Sequence, residues 1–272
     1  MKYVIKASGE KELFSKKKIY ESALNGGATS RKSQEIADIL FAKTKDLTAT
    51  SDILKQIKEL LPDQKTRIRF NLKEGIRRLG PSGFPFEKFV GCIFERLGFE
   101  VRVNQHIQGA LIKDYEIDFT AKKGNMLYLG ECKFRNLAGE KVHSQEALAN
   151  YARYLDILNG PYANDIELKT ILVTNTKLTQ DARNYSLGVG VDIISWRYPY
   201  GAGLEHLIEK FGLYPITILP SLSVSLRDIF YSEGLMLAED VLNLDVPRFS
   251  RKFKVASSKL EKIKEEARAL LQ

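Results

Sequence analysis

Two strand-like stretches separated by a short polar turn constrain the fold of this chain most strongly. Apolar and polar residues alternate along Tyr115–Ala121, and a second strand-like stretch, apolar in its first half, covers Met126–Phe134. The Lys-Lys-Gly-Asn sequence between them is typical of a hairpin turn. We therefore expect a pair of adjacent antiparallel strands near the middle of the chain.

The alternation also predicts which side chains share a face, because successive residues of a strand point to opposite sides. The first strand is expected to turn three side chains into the core: Tyr115, Ile117 and Phe119. Asp118 then points the other way. In the second strand Glu131 and Lys133 share a face, and Cys132 takes the opposite one. Pairing of the strands would bring two acids and a lysine together.

These residue types suit phosphoryl chemistry at a metal ion. Neighbouring carboxylates repel each other, and a hard divalent cation with oxygen ligands removes that repulsion. A metal held by Asp118 and Glu131 would polarise a phosphoryl oxygen and acidify a bound water. Lys133 would orient that water or stabilise the developing negative charge. The alternative is a solvated salt bridge on a surface hairpin.

The Gly-Pro-Ser-Gly sequence at residues 80–83 predicts a domain boundary. Before it, short strands at Tyr3–Lys6 and Glu12–Phe14 precede several amphipathic helices. We predict three domains, at 1–79, 80–214 and 215–272. The expected class is α/β: a central mixed sheet, flanked by an N-terminal helical bundle with a small β lid and by a small helical C-terminal domain.

Further elements surround the hairpin in the central segment. A helix closed by Gly98 should precede a strand at Phe99–Val103, and later strands are expected at Leu168–Thr174 and Val191–Ser195. Another helix should cover Ser144–Leu158. Its inward face is predicted to carry six residues: Ala147, Leu148, Tyr151, Ala152, Leu155 and Leu158.

Composition narrows the class of partner. The net charge of +8 fits an anionic partner such as DNA. There is no apolar run long enough for a membrane span and no signal peptide pattern, so we expect a cytoplasmic protein with no membrane partner. Cys92 and Cys132 are too few for a cysteine-rich zinc site, and the three histidines show no metal spacing.

Residues 80–200 resemble the Mrr-like branch of the PD-(D/E)XK restriction endonucleases. The matching sequences are Gly-Phe-Pro-Phe-Glu from Gly83, Leu-Gly-Phe-Glu-Val from Leu97, Glu-Ile-Asp ending at Asp118 and Glu-Cys-Lys ending at Lys133. The resemblance implies a catalytic set of Asp118, Glu131 and Lys133.

The same resemblance implies further site residues. Glu87 on the first helix is a fourth catalytic candidate, with plain helix solvation as its alternative, and Gln145 is a weaker one. Asp118, Glu131 and Cys132 are the expected metal-binding positions, for Mg²⁺ or Mn²⁺.

Residues 1–79 resemble the ATP-cone, the nucleotide-binding regulatory module of ribonucleotide reductases. The matching sequences are Val-Ile-Lys from Val4, Glu-Leu-Phe from Glu12, Lys-Ile from Lys18 and Thr-Ser-Asp-Ile from Thr50. The resemblance implies that Lys6 and Lys18 contact the phosphates of ATP or dATP, and that Glu12 and Ile19 lie near the base. A helical bundle that has lost its nucleotide is the alternative.

The C-terminal segment resembles a helix–hairpin–helix DNA-binding unit. Glu-Gly-Leu from Glu233 fits one hairpin, whereas Phe-Lys-Val from Phe253 lacks the glycine expected in a second. A helical cap that binds no DNA is the alternative.

Together these features predict a metal-dependent DNA endonuclease of the restriction or DNA-defence type, regulated by ATP or dATP. One alternative is a nucleotide-sensing DNA-binding regulator without cleavage. Another is a structure-specific resolvase or repair nuclease. The sequence leaves a homo-oligomer open.

Overall fold

The computed structural model describes residues 2–6, 9–80, 83–163 and 166–272. Pro81 and Ser82, the centre of the predicted boundary, lie outside these residues. By its contacts the chain divides into two compact units. The first combines Met1–Gly75 with Ile216–Gln272, and the second is Ile76–Pro215.

The described elements follow one another along the chain. The first group is β1 (Tyr3–Ile5), β2 (Lys11–Leu13), α1 (Lys16–Asn25), α2 (Ser30–Lys43), β3 (Thr48–Ala49), α3 (Thr50–Leu60), α4 (Gln64–Arg69) and α5 (Leu72–Arg77). The central group is α6 (Phe84–Arg96), β4 (Glu100–Ile107), β5 (Tyr115–Lys123), β6 (Met126–Lys133), β7 (Lys141–Val142), α7 (Ser144–Leu158), β8 (Glu167–Thr174), β9 (Lys177–Leu178), α8 (Gln180–Gly188), β10 (Asp192–Ile194) and α9 (Leu204–Phe211). The last group is α10 (Val224–Ser232), α11 (Ala238–Leu242), α12 (Val246–Phe253) and α13 (Ser257–Leu271).

The second unit is built on a five-stranded mixed sheet in the order β10-β8-β6-β5-β4. Strands β4, β5 and β6 pair antiparallel, and β6, β8 and β10 run parallel. The predicted hairpin is therefore present, with Lys123 opposite Met126 at its turn. The predicted α/β class with a central mixed sheet is confirmed.

Two helices cover opposite faces of this sheet. Phe94 of α6 packs against Phe119 at 4.9 Å between ring centroids and also contacts Tyr128. Leu127 and Leu129, which alternate with Tyr128 along β6, lie in a core cluster with Ile157 of α7. The alternation along β6 therefore assigns one face to α6 and the other to α7.

The bounds predicted for α7 agree with the structure, but its predicted inward face is wrong. Leu148, Leu155 and Leu158 are exposed, whereas Ala147 and Ile157 are fully buried and Asn150 is 5% exposed. Other predicted members of that face are exposed or half-buried. A helix with leucines on two sides has two plausible apolar stripes, and contact with the sheet selects the one that includes Asn150.

The first unit combines a small sheet, in the order β2-β1-β3, with helices from both ends of the chain. Ile36, Ala37, Leu40 and Ile57 are among the residues at the centre of its N-terminal core cluster. Helix α13 packs against α4. The two terminal segments, predicted from sequence as separate domains, thus share one unit.

Specific polar contacts join the two terminal segments and hold the C-terminal one together. The Thr217 hydroxyl donates to the Gly75 carbonyl at 2.6 Å. Glu266, only 4% exposed, accepts from the backbone N–H and the hydroxyl of Ser221. A buried carboxylate needs such donors, and they fix how α13 lies in the unit.

Two short turns join helices in the C-terminal segment. Gly234 between α10 and α11 has φ 76°, and Lys254 between α12 and α13 has φ 54°. The second turn therefore takes the left-handed conformation even though lysine stands where glycine was expected. DNA binding by this segment stays a prediction. Among the described helices, none is long and apolar enough to cross a membrane.

Candidate active site

The site forms where β5 separates from β6. Backbone pairing between the two strands ends at Phe119 opposite Gly130, while β6 continues beside β8 as far as Lys133. The Cys132 N–H points into the resulting gap and donates to Asp118 Oδ2 at 2.6 Å. The carboxylate of Asp118 thus takes the hydrogen bond that the β5 backbone no longer accepts.

A local distortion of β5 orients Asp118 into this gap. Asn104 of β4 lies opposite Asp118 with φ 50°, and the register of β4 and β5 omits this one pair. On one side of it Ile117 faces α7, and on the other Phe119 faces α6. The prediction that these two side chains share a face is therefore wrong, because the distortion interrupts the alternation.

Glu131 lies beside Asp118 in an ion-paired environment. Its side chain is 6% exposed, with Oε1 at 2.5 Å from the Lys133 ammonium and Oε2 bound by the Arg153 guanidinium of α7. Two cations therefore neutralise its charge and hold its orientation. Glu131 and Lys133 share a face, as the alternation predicts, and Cys132 is buried.

Glu87, in the first turn of α6, completes an acidic cluster. Burial raises its pKa to about 7, and the charges of Asp118, Glu116 and Glu131 add to that effect. Burial and the charge of Glu131 raise the pKa of Asp118 to about 6, although the Cys132 N–H and two cations oppose the shift. The cluster therefore carries negative charge that its own cations only partly compensate.

Glu87→Gln is expected to raise the melting temperature at pH 8, measured in EDTA. The native state keeps a proton on Glu87 up to about pH 7, whereas the unfolded chain releases it near pH 4.5. Wild-type stability therefore falls as the pH rises through this window. The advantage of the variant should grow across the same window and vanish at its acid end.

Glu95→Gln, at an exposed position of the same helix, is the matched control. It should leave the pH profile of the melting temperature unchanged. Identical profiles for wild type and both variants would show that Glu87 is not confined with other negative charge.

The donor set fits a hard divalent cation in part. Among the described residues, no three His, Cys, Asp or Glu side chains form a group that could hold a metal. Asp118 and Glu131 are oxygen ligands of the kind that Mg²⁺ accepts, and Mg²⁺ normally keeps several waters. The uncompensated charge at Asp118 and Glu87 is the observation that favours a cation here.

Cys132 fits this set through its backbone and not through its thiol. Burial raises the pKa of the thiol well above its usual range, and a protonated thiol is a poor metal ligand. The carbonyl of a strand residue points toward the same neighbour as its N–H. The Cys132 carbonyl therefore faces the gap beside Asp118.

The structure thus brings Asp118, Glu131, Lys133 and Glu87 within electrostatic reach of one another, while Gln145 is exposed on α7. Arg153 was missed by the sequence analysis. It is three residues from Asn150 on the inward face of α7, so a correct assignment of that face would have revealed it.

The residues predicted to bind a nucleotide come together in the first unit. Glu12 is paired with Lys18 and, at 3.4 Å, with Lys6. Glu12, Lys18 and Ile19 line a largely apolar cleft of about 510 Å³, including its open mouth, against α3. Ile19 also belongs to the core, with 3% exposure. Both predicted phosphate-binding lysines therefore contact a carboxylate at this cleft.

Comparisons with known proteins identify close relatives of the chain. Residues 214–271 match the protein family described as AF1548-like, C-terminal. An uncharacterized protein of Archaeoglobus fulgidus is 32% identical over 181 residues, which cover 66% of this chain and 98% of that protein. The crystal structure of AF1548, a protein of unknown function, is similar with a TM-score of 0.59 and 30% identity, covering 70% of this chain and 98% of that one.

Two other solved structures are more distant. Can2 from Sulfobacillus thermosulfidooxidans, in complex with cyclic tetra-adenylate, has a TM-score of 0.35 and 15% identity, over 74% of this chain and 64% of that one. The MspJI restriction endonuclease, in complex with a 27-mer oligonucleotide, has a TM-score of 0.34 and 10% identity, over 68% and 45%. Scores this low carry no argument about function.

Proposed function

The chain belongs to the AF1548-like family, and on that premise we propose that it is a metal-dependent endonuclease that hydrolyses phosphodiester bonds in DNA. One observation carries the proposal: acids from α6, β5 and β6 converge with Lys133 where β5 separates from β6. A structural salt bridge would leave the acids balanced by their cations. Here four acidic side chains, Glu87 and Glu116 among them, lie within electrostatic reach of one another. Among the described residues, the cations that oppose the raised pKa of Asp118 are Lys133 and Arg153.

Asp118, Glu131 and the Cys132 carbonyl are the groups that would hold Mg²⁺ or Mn²⁺. When bound, the ion supplies a Lewis acid for a phosphoryl oxygen and lowers the pKa of a coordinated water. Asp118 Oδ2 already accepts the Cys132 N–H, and its other oxygen accepts no hydrogen bond from the described residues. That oxygen is the ligand atom this arrangement leaves open.

The two cations have separate roles in this proposal. Lys133, 29% exposed, reaches both Glu131 and the solvent side of the site, so its ammonium can orient the attacking water or stabilise charge on the phosphate. Arg153 binds the other oxygen of Glu131 from α7. It acts as a positioning residue that keeps Glu131 oriented.

DNA as the substrate rests on the net charge of +8 and on the resemblance to Mrr-like restriction endonucleases. A role in restriction or DNA defence follows from that resemblance. The same chemistry serves a structure-specific resolvase or repair nuclease. A regulator that only binds DNA has no use for acids beside a phosphate, because they weaken its binding.

The proposal is tested by incubating the full chain with plasmid DNA, methylated or unmethylated, in Mg²⁺ or in EDTA. Cleavage that requires the metal is expected. Intact plasmid under every metal condition, from a protein shown to be folded, would remove the nuclease assignment and favour the DNA-binding regulator. Linear and supercoiled substrates, with and without ATP, separate restriction from structure-specific cleavage.

We propose in addition that the cleft beside Glu12 binds ATP or dATP and regulates cleavage. It is lined by apolar side chains that suit a purine, and its charged rim offers Lys18 and, through Glu12, Lys6. The phosphates of the nucleotide would replace Glu12 as the ion-pair partner of these lysines. Regulation requires that the nucleotide bind the active and inactive states with different affinity.

ATP or dATP is expected to raise the melting temperature of the full chain. A ligand that binds only the folded state stabilises it by about 2.7 kcal/mol at a hundredfold excess over its Kd. Lys18→Ala should remove most of the shift. Lys17→Ala is the control, because Lys17 is exposed and pairs with Glu21 at 3.8 Å. No shift with any purine nucleotide at millimolar concentration would reduce this bundle to a structural role.

A further inference from the structure

A second charged site lies along the same sheet edge as the acidic cluster. Strands β6, β8 and β10 are parallel neighbours, so their carboxyl ends meet at one edge of the sheet. Lys133 ends β6, Lys177 follows β8 and Arg197 follows β10. Open α/β sheets bind their ligands at such an edge.

The residues beyond β8 and β10 form a basic pocket of about 280 Å³. Its lining is Lys177, Leu178, Arg183, Ser195, Arg197 and Tyr198. Arg197 pairs with Glu205, and Arg183 lies 4.6 Å from the ring centroid of Tyr198. In the part of the chain that the structure describes, Lys177 and Arg183 have no carboxylate partner. The pocket therefore holds positive charge available to an anion.

The loop that contributes Ser195, Arg197 and Tyr198 to this pocket also carries an exposed aromatic ring. Tyr200 is fully exposed, two residues beyond Tyr198. The Ser195 N–H donates to the Tyr198 carbonyl at 2.7 Å, and the Leu204 N–H returns to the Ser195 carbonyl at 2.9 Å. A side chain at Gly203 would collide with the backbone of Tyr198, at 2.6 Å from its nitrogen. The loop that carries Tyr200 is thus closed by its own backbone hydrogen bonds.

We propose that the basic pocket and Tyr200 together bind an unpaired stretch of DNA, with a backbone phosphate in the pocket and a base stacked on the tyrosine. This proposal rests on the nuclease function and names the form of its substrate. Cationic side chains bind a backbone phosphate whatever the nucleotide sequence, and an aromatic ring stacks on any base whose face is free. In a duplex the faces of the bases are covered by their neighbours, so a lone exposed ring gains more from an unpaired base.

The geometry of the sheet allows one strand to reach both sites. Neighbouring strands lie about 4.8 Å apart, so β10 is about 10 Å from β6 across the sheet. A stacked strand advances about 3.4 Å per nucleotide, and about three nucleotides span that distance. A strand bound at the pocket would thereby direct a nearby phosphate toward Lys133.

The test measures binding of a short labelled single-stranded oligonucleotide, and of the matching duplex, to the full chain in EDTA at several salt concentrations. Lys177→Ala and Arg183→Ala should each weaken single-strand binding and reduce the salt slope by about 0.7 for the lost phosphate contact. Tyr200→Ala should weaken it about five- to a hundredfold, with the slope unchanged. Tyr200→Phe should bind as the wild type does.

Lys122→Ala is the matched control. Lys122 is an exposed lysine of β5 opposite Leu127, near the amino end of β6, so it lies at the other end of the strands from the pocket. The proposal is overturned if the pocket variants behave like Lys122→Ala, or if Tyr200→Ala leaves binding unchanged. It is also overturned if these variants weaken duplex binding alone. Strong competition by millimolar inorganic phosphate would indicate a free-phosphate site instead.

Binding in EDTA separates this proposal from the nuclease function. If the protein never cleaves DNA but shows the expected binding pattern, the proposed pocket stands and the proposed nuclease function is lost. If the protein cleaves DNA but neither binding nor cleavage depends on Lys177, Arg183 or Tyr200, the nuclease function stands and the proposed pocket is lost.

Discussion

Asp118→Asn is expected to abolish cleavage, by about a thousandfold or more, while the chain stays folded. Asparagine keeps one side-chain oxygen, so it can still accept the Cys132 N–H that Asp118 Oδ2 accepts at 2.6 Å. What disappears is the negative charge and with it the metal ligand. DNA binding in EDTA should tighten, because a negative charge leaves the phosphate site. Single-turnover cleavage measures the loss of activity, and metal-binding calorimetry measures the loss of the metal ligand.

Glu167→Gln is the control for this substitution. Glu167 is exposed at the amino end of β8, where it pairs with Lys169 at 3.0 Å. Its substitution removes one negative charge, as Asp118→Asn does, but at the end of the strand far from the site. It should cleave as the wild type does. If Asp118→Asn retains full metal affinity and activity, Asp118 is not a ligand and the proposed metal site is lost.

Lys133→Ala is expected to lower the turnover rate about a hundred- to a thousandfold, the usual effect of losing one charge-stabilising contact in the transition state. Metal affinity should change little or rise, because a positive charge beside Glu131 is removed. Arg153 still pairs with Glu131 in this variant, so the carboxylate is not left without a partner. Cleavage is compared at saturating metal and DNA.

Cys132→Ala separates chemistry from stability at the neighbouring position. The thiol is buried, with 8% exposure, so its loss should lower stability by about 1 kcal/mol. The backbone N–H and carbonyl remain, so cleavage should persist. If Cys132→Ala is inactive and Lys133→Ala is active, the side chains of β6 face the opposite way to the one described. The proposed site, which depends on that facing, would then be wrong.

Sequence patterns located most elements of the central unit correctly. The predicted bounds of α7 match those of the structure, and the hairpin of β5 and β6 lies where alternation and the polar turn place it. Helical and strand periods are local properties that a stretch of sequence carries by itself. The short strands β7 and β9 and the helix α8 carry too few apolar repeats to be predicted. Helix α9 does have apolar residues at helical spacing, at Leu204, Leu207, Ile208 and Phe211, but it is not among the predicted elements.

Patterns failed where a second surface decides the outcome. Either of two stripes on α7 could face the sheet, and the choice made in the folded protein brings Asn150 and Arg153 inward. Likewise, the helical periods of the two terminal segments give no sign that α13 packs against α4. Such choices depend on which partner surface is present, and periodicity does not contain that information.

The sequence by itself determined on which strands the proposed site residues lie: Asp118 on β5, with Glu131 and Lys133 on one face of β6. The tertiary structure decided how they meet. The left-handed Asn104 interrupts the alternation of β5 opposite Asp118, and the end of strand pairing opens the gap that the Cys132 N–H enters. Both are properties of paired strands, since a distortion in one strand is set by the neighbour against which it is held.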